Sequence, residues 1–167
     1  MKKVLIVYLS LTGNTEMMAQ YIAEGIRFSG QEAILKKISD IKSAGDLTGY
    51  DGYIFGSPTH YSDVPKRMKT FLLLVKEANL KGKQGGAFGS YTHDGNAPAI
   101  VFDTLQNVYN MRPFELGSIN FKDTMLQKPG REDRDSRRYV AGEVYEIGEG
   151  MHSCQDYGRV FGEKLVA

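Results

Sequence analysis

The chain has 167 residues, 41% hydrophobic and 25% charged, and its 21 lysines and arginines against 20 acids leave a formal net charge of +1. These values predict one soluble domain over 1–167 and exclude a whole-molecule field that would attract nucleic acid or an anionic membrane. No uncharged stretch reaches the ~20 residues of a membrane span, and the apolar run after Lys3 is too short for a signal peptide. The single cysteine, Cys154, fits a reducing cytoplasm.

Strand-like runs alternate with helical patterns along the chain. A continuous run of branched and aromatic residues follows Lys3, which is typical of a strand covered on both faces of a parallel sheet. Four shorter runs come after it. This alternation predicts an open doubly wound α/β fold with helices on both faces of the sheet. The predicted strands are residues 3–10, 33–35, 52–57, 86–89 and 114–119.

Four helices are predicted between and after these strands. Met18, Ile22 and Ile26 recur on one face of residues 14–28. Pro65 suits the first position of a second helix, which reaches about residue 79. In the third helix Asn96 is the predicted cap residue, and the predicted buried stripe is Ile100, Val101, Thr104, Leu105 and Val108. The last helix is indicated by Cys154, Tyr157, Gly158, Phe161 and Leu165.

The interval between Ile119 and Met151 is too long for an ordinary connection of an α/β unit. Such connections usually have about 2–6 residues. We therefore expect an insertion at about 120–150, near the fifth strand. Within it, residues 128–138 are predicted to form a solvated loop, and residues 140–147 have the pattern of a returning edge strand.

Ligands of doubly wound folds bind at the carboxyl ends of the strands, which directs attention to three loops. The first loop, residues 10–15, joins a strand to a helix, so its backbone N–H groups lie at the positive end of a helix dipole. Gly13 lets the backbone approach a ligand closely, and Asn14 tolerates a strained turn. The loop is Ser10, Leu11, Thr12, Gly13, Asn14 and Thr15, and it contains no lysine or arginine.

Two interpretations of the first loop are open. Thr12 or Asn14 could cap the helix, as in any protein. A cap needs one hydroxyl, however, whereas Ser10, Thr12 and Thr15 offer three, which favours a phosphate site. A nucleoside-triphosphate loop and a dinucleotide fingerprint are excluded because their glycine and lysine patterns are absent.

The second and third loops each contain a tyrosine and a histidine among small polar residues. An aromatic ligand between Tyr61 and Tyr91 would gain stacking energy. Taken singly, each of these tyrosines and histidines is as well explained as an ordinary loop residue. The candidate binding residues are Ser57, Pro58, Thr59, His60 and Tyr61 in the second loop, and Ser90, Tyr91, Thr92, His93 and Gly95 in the third.

In these three loops the chain resembles the flavodoxins, and most closely the flavodoxin-type modules of flavo-diiron proteins. The resemblance implies a five-stranded parallel sheet of order 2-1-3-4-5 in three α/β/α layers, with flavin mononucleotide (FMN) bound non-covalently. It further implies that residues 10–15 hold the phosphate, residues 57–61 line the redox edge of the flavin, and residues 90–95 bracket its ring. The insertion resembles the segment that interrupts the fifth strand of long-chain flavodoxins.

The resemblance leaves two functions open. One is an electron carrier, a monomer or weak dimer that shuttles electrons between unidentified redox partner proteins. The alternative is an NAD(P)H-dependent quinone or FMN reductase, in which His60 or His93 would assist hydride or proton transfer. The lack of any other acid–base group favours the carrier, for which we predict no catalytic residue and no metal site. The near-neutral charge, unlike that of the commonly acidic flavodoxins, favours the reductase.

Two features depart from the flavodoxin pattern. The second loop has no glycine, and Pro58 restricts it, so a peptide flip to positive φ would be costly at Thr59 or His60. Residues 66–83 contain six bases and one acid. Such a run is usually a solvated helix face, but Lys66 and Arg67 directly follow a flavin loop and would favour reduced anionic flavin or an acidic partner.

Overall fold

The computed structural model describes residues 1–93, 95–126 and 149–167, and its strands form one parallel sheet of order β2-β1-β3-β4-β5. The doubly wound topology predicted from the sequence is therefore confirmed. The strands are β1 (Lys3–Tyr8), β2 (Glu32–Lys37), β3 (Gly52–Gly56), β4 (Gln84–Tyr91) and β5 (Arg112–Lys122), and the α-helices are α1 (Asn14–Phe28), α2 (Lys66–Ala78), α3 (Ala97–Asp103) and α4 (Glu149–Val166).

Alternate residues of β1 contribute to two separate hydrophobic cores. Leu5 and Val7 pack on the side of the sheet covered by α2 and α3, whereas Val4 and Ile6 pack on the side covered by α1 and α4. All four side chains are fully buried, as expected of a central parallel strand covered on both faces. The predicted three-layer α/β/α architecture is confirmed.

Helices α1 and α4 cross at glycines, which bring their backbones into close contact. A Cβ atom on Gly25 would overlap the carbonyl oxygen of Gln155, and one on Gly158 would overlap that of Ile22. No larger side chain fits at either position without moving one of the helices. This crossing fixes α1, whose first turn carries the first loop.

Strand β5 carries a large bulge. Gly85 pairs with Pro113 and Ala87 pairs with Ser118, so residues 114–117 face a single residue of β4. The buried hydroxyl of Tyr157 fills the gap, since it accepts the N–H of Ala87 at 3.1 Å and donates to the carbonyl of Gly117 at 2.6 Å. Beyond the bulge, β5 returns to the sheet and brings its last residues beside the end of β4.

The structure corrects several predicted boundaries. β1 and β3 end before Ser10 and Ser57, and Pro65 lies just before α2 rather than in it. Ile100 and Val108 are 39% and 60% exposed, contrary to the predicted buried stripe. At Val108 the angular spacing of the residues is changed by the π-helical turn that follows α3, whereas Ile100 lies before that turn, within α3. β5 ends at Lys122, three residues after the predicted end of the fifth strand, and most of the predicted insertion at about 120–150 lies outside the described residues. The predicted edge strand at 140–147 lies outside the described residues.

Candidate functional site

The first loop is organised by Ser10. Its Oγ accepts the N–H of Gly13 at 3.1 Å and the N–H of Glu16 at 3.2 Å. The residue at the N-cap position of α1 is Gly13 itself, with φ 93°, so the side chain that accepts an N–H of the first helical turn is that of Ser10. The interpretation of Thr12 or Asn14 as an ordinary cap is therefore wrong, and the left-handed residue is Gly13 rather than Asn14.

Backbone donors remain free at the start of α1. The N–H groups of a helix's first turn have no acceptor within the helix, and only that of Glu16 is taken by Ser10. The N–H groups of Asn14 and Thr15 have no acceptor among the residues described by the structure. Thr12 lies exposed beside them, and its Oγ1 accepts a 3.4 Å hydrogen bond from the side-chain Nδ2 of Asn14. An anion at this point would be bound by neutral donors.

The structure joins the first loop to the third through two buried hydroxyl groups. The Oγ1 atom of Thr15 lies 2.9 Å from the Oγ atom of Ser90, and the two residues are 1% and 4% exposed. A hydroxyl donates one hydrogen bond and can also accept. Thr15 can therefore accept a hydrogen bond from Ser90 and still donate one to a ligand at the start of α1.

A cleft of about 280 Å³ opens beside the first loop and contains charged groups. The hydroxyl of Tyr8 donates to Glu16 at 2.8 Å there. Burial, followed by this hydrogen bond to the carboxylate, raises the pKa of Tyr8 to about 12. Lys37 and Arg67 line the same cleft as Ser10 and Gly13, so cations from outside the loop lie near the free N–H groups.

The second loop is anchored to the sheet and to α3. Ser57 is fully buried; its N–H donates to the carbonyl of Phe88 at 3.0 Å, and its Oγ donates to the carbonyl of Pro58 at 2.9 Å. The Oγ1 of Thr59 accepts the N–H of Ala97 at 3.0 Å. These contacts hold the start of the loop in one conformation.

The end of the second loop is a tight left-handed turn. The N–H and C=O groups of His60 and Asp63 exchange two hydrogen bonds of 2.8 and 3.0 Å, while Tyr61 and Ser62 have φ values of 50° and 59°. Asp63 also binds Lys69 through a 2.6 Å ion pair. Tyr61 is 93% exposed, and its ring centroid lies 4.9 Å from that of His60.

The third loop is held against β5 by Asn120. The Nδ2 of Asn120 donates to the carbonyl of Gly95, and a Cβ at Gly95 would overlap Asn120. Thr92 donates to Asp123 at 2.8 Å, and His93 is exposed. The Oδ1 of Asn120 is buried and lacks a hydrogen-bond partner within ranges 1–93, 95–126 and 149–167. Such an orphaned acceptor suits a nearby donor from a ligand.

Asn120 was not among the residues predicted from the sequence. A polar side chain between Ile119 and Phe121 was the available signal, because both neighbours pack into the core of α1 and α4. The predicted fifth strand ended one residue too early for that signal to be used. Arg67 was noted for its charge but not placed beside Ser10.

The second and third loops enclose a second cleft of about 500 Å³. Tyr61 lines this cleft, whereas the half-buried Tyr91 is not part of its lining, so stacking of a ligand between the two tyrosines stays a prediction. All three loops thus meet at the carboxyl edge of the sheet, and the free N–H groups, the cleft and the orphaned acceptor fit a flavin nucleotide. The cleft is lined by Thr59, His60, Tyr61, Ser62, Thr92 and His93.

Neither a metal site nor a membrane-spanning helix is found in the described ranges. No three histidine, cysteine, aspartate or glutamate side chains in these ranges come close enough together to hold a metal ion. None of the helices described has the length and apolar character needed to span a membrane.

Comparisons with known proteins agree with this arrangement. The flavodoxin family model matches residues 6–132. A flavodoxin from Clostridium saccharobutylicum is 34% identical over 164 residues, covering 98% of this chain and 95% of the relative. An NAD(P)H dehydrogenase (quinone) from Gluconacetobacter diazotrophicus is 32% identical over 133 residues, covering 65% of this chain and 66% of the relative.

Solved structures show the same relationship. A flavodoxin from the domain Archaea superposes with a TM-score of 0.78 at 25% identity, and the match covers 99% of both chains. The family model and the Clostridium relative both extend over most of the chain, including all three loops. The chain belongs to the flavodoxin family of electron-transfer flavoproteins.

Proposed function

We propose that the protein binds FMN non-covalently and carries electrons between redox partner proteins. The first loop carries this proposal, because it presents free N–H groups and the Thr15 hydroxyl at the positive end of α1. The phosphate monoester of FMN is largely dianionic at neutral pH. Neutral donors can bind it, with Lys37 and Arg67 adding a favourable field from the adjoining cleft.

The other two loops would hold the flavin ring. In this proposal residues 57–61 would lie on one side of the ring, with Tyr61 as the stacking residue, and residues 90–95 on the other. The proposal is supported by the cleft between Thr59, His60 and Tyr61 on one side and Thr92 and His93 on the other. The orphaned Oδ1 of Asn120 would accept a hydrogen bond from the pyrimidine edge of the ring. When bound, the flavin supplies the electron chemistry, and these residues position it and limit its contact with water.

A reductase is the second candidate, since one relative is an NAD(P)H dehydrogenase (quinone) and both loop histidines line the 500 Å³ cleft. A catalytic histidine is usually oriented by a hydrogen bond to a second group. The rings of His60 and His93 receive no hydrogen bond or ion pair from the described residues, and His60 only packs against Tyr61. This favours the carrier.

Two measurements test the proposal. Apoprotein is titrated with FMN and with riboflavin, which lacks the phosphate, while flavin fluorescence is followed. We expect FMN to bind at least about a hundredfold more tightly, because a phosphate adds several charge-assisted hydrogen bonds. Equal affinities would contradict the phosphate site. The FMN-loaded protein is then mixed anaerobically with NADPH and with NADH, and rapid bleaching of the flavin without a partner would identify a reductase.

A further inference from the structure

A groove runs along the outer side of α2 from the flavin loops. It has a volume of about 300 Å³, an apolar floor and two cations at its edge. We call it the α2 groove. It is lined by Ile38, Ile41, Lys66, Arg67, Thr70, Phe71 and Leu74.

The cations of the α2 groove are unpaired. Lys66 and Arg67 are exposed, and neither forms an ion pair with a residue in the described ranges. The next cation, Lys69, is different because Asp63 neutralises it. The first turn of α2 contains no acid either. Two free positive charges at the positive end of a helix repel its dipole, so this surface is complementary to an anionic partner.

The surface becomes apolar one to two turns further along α2. Leu74, seven residues after Arg67, is half-buried and lines the groove. Leu73, seven residues after Lys66, is 60% exposed and lies next to Leu74, outside the groove lining. Residues at this spacing share one face of a helix. The face thus offers charge next to the flavin loops and exposed apolar area beyond them.

The α2 groove is continuous with the candidate flavin site. Arg67 and Ile38 line both the groove and the cleft that contains Ser10 and Gly13. The second loop leads directly into α2, and the ion pair between Asp63 and Lys69 ties the two together. A protein seated in the groove would therefore also cover the loops around the flavin.

We propose that the α2 groove docks an acidic redox partner protein. Carboxylates of the partner pair with Lys66 and Arg67, and an apolar side chain of the partner covers Leu73 and Leu74. This inference rests on the proposed function as an electron carrier. In the step that it supports, the reduced flavin loses one electron and an oxidised metal centre of the partner gains it, with no bond made or broken between the two proteins.

The test uses reduced FMN-loaded protein and two oxidised acceptors, the acidic iron protein rubredoxin and the basic protein cytochrome c, in anaerobic stopped-flow mixing. The Lys66→Glu/Arg67→Glu double variant is compared, at equal FMN occupancy measured by flavin absorbance, with Lys76→Glu/Lys81→Glu. The second variant makes the same change in net charge near the C-terminal end of α2 and just beyond it. We expect the first variant to reduce rubredoxin about tenfold more slowly at low salt, and the control to stay within about twofold of the unsubstituted protein.

The outcomes separate the two proposals. Equal slowing by both double variants would show a general charge effect and overturn the docking surface, as would faster reduction of rubredoxin by Lys66→Glu/Arg67→Glu. If Leu73→Ser needs a higher rubredoxin concentration to reach its half-maximal reduction rate, while its reduction of cytochrome c is unchanged, the apolar contact is supported. An unchanged rubredoxin concentration at half-maximal rate would overturn the apolar contact. A protein that binds FMN but reduces neither acceptor would overturn the carrier function itself.

Discussion

The hydroxyl oxygens of Thr15 and Ser90 lie 2.9 Å apart in the interior, although the two residues are 75 positions apart in the chain. The pair connects the first turn of α1 with the end of β4. Because both side chains are buried, this hydrogen bond fixes the first loop, which we propose binds the phosphate, relative to the third loop, which we propose brackets the flavin ring. Flavin affinity should therefore depend on a hydrogen bond that joins two residues of the protein to each other.

Thr15→Val keeps the shape of the side chain and removes its hydroxyl. We expect the dissociation constant for FMN to rise about tenfold, since one hydrogen bond is lost and Ser90 is left with one partner fewer. Fluorescence titration of the apoprotein measures it. Thr104→Val is the matched control, because the Thr104 hydroxyl bonds to its own helix. Unchanged FMN affinity in Thr15→Val would exclude the residue from the site.

Gly13 and Gly30 form a natural pair for testing the first loop. Both have positive φ, 93° and 87°, and a Cβ at either position would meet nothing within 4 Å. Alanine should therefore cost both variants a similar ~1 kcal/mol of unfolding free energy. Only Gly13→Ala should also weaken FMN binding, because it changes the backbone beside the phosphate. Equal FMN affinities in the two variants would contradict this assignment.

The turn at residues 60–63 predicts a small population of the one-electron-reduced flavin. Tyr61 and Ser62 already have positive φ values, and the Thr59 side chain is hydrogen-bonded to the N–H of Ala97. A peptide flip toward the flavin would therefore add further strain at Thr59 or His60. Anaerobic redox titration should show little of the blue radical at the midpoint, and more of it in His60→Gly. Abundant blue radical in the unsubstituted protein would contradict the idea.

The Tyr8–Glu16 hydrogen bond predicts a pH dependence at the alkaline end. The pKa of Tyr8 is raised from its ordinary value near 10 to about 12, so the folded state holds this proton more tightly than the unfolded chain. Its contribution to stability is complete below about pH 10 and is lost as the pH rises toward about 12. Tyr8→Phe should lower the slope of unfolding free energy against pH in this range, measured by urea unfolding. An identical slope would refute the assignment.

The crossing of α1 and α4 predicts a large effect from a single methyl group. Gly158→Ala would force the helices apart, with an expected loss of about 1–3 kcal/mol of unfolding free energy. Gly45→Ala is the control, because its nearest neighbour would lie 3.6 Å away. Thermal or urea unfolding measures both, and equal stabilities would show that the crossing adjusts without cost.

The sequence predicted the fold because its signals were local. Branched runs and helical spacing identified the five strands and four α-helices of the described residues, although β2, β4 and β5 extend beyond the predicted ends, and three short 3-10 helices in those residues were not predicted. Val108 was misplaced because the π-helical turn breaks the periodicity on which the prediction relied. No sequence period encodes such a turn.

The candidate site was predicted as loops, but not as contacts. Parallel strands bring their carboxyl ends to one edge, so the three loops had to meet there. Which side chains bond to each other depends on register and loop geometry. The pairing of Thr15 with Ser90, and of Asn120 with Gly95, could not be obtained from spacing, because each joins segments that only the folded sheet brings together.

The bulge in β5 divides that strand into two halves with different structural roles. The lower half, ending at Pro113, completes the sheet, while the upper half, from Ser118, supports the third loop through Asn120. Between the two halves, the Tyr157 hydroxyl bonds to Ala87 of β4 and Gly117 of β5. A change of length in residues 114–117 would therefore shift Asn120 and the third loop, which we propose brackets the flavin ring, without unpairing the base of the sheet.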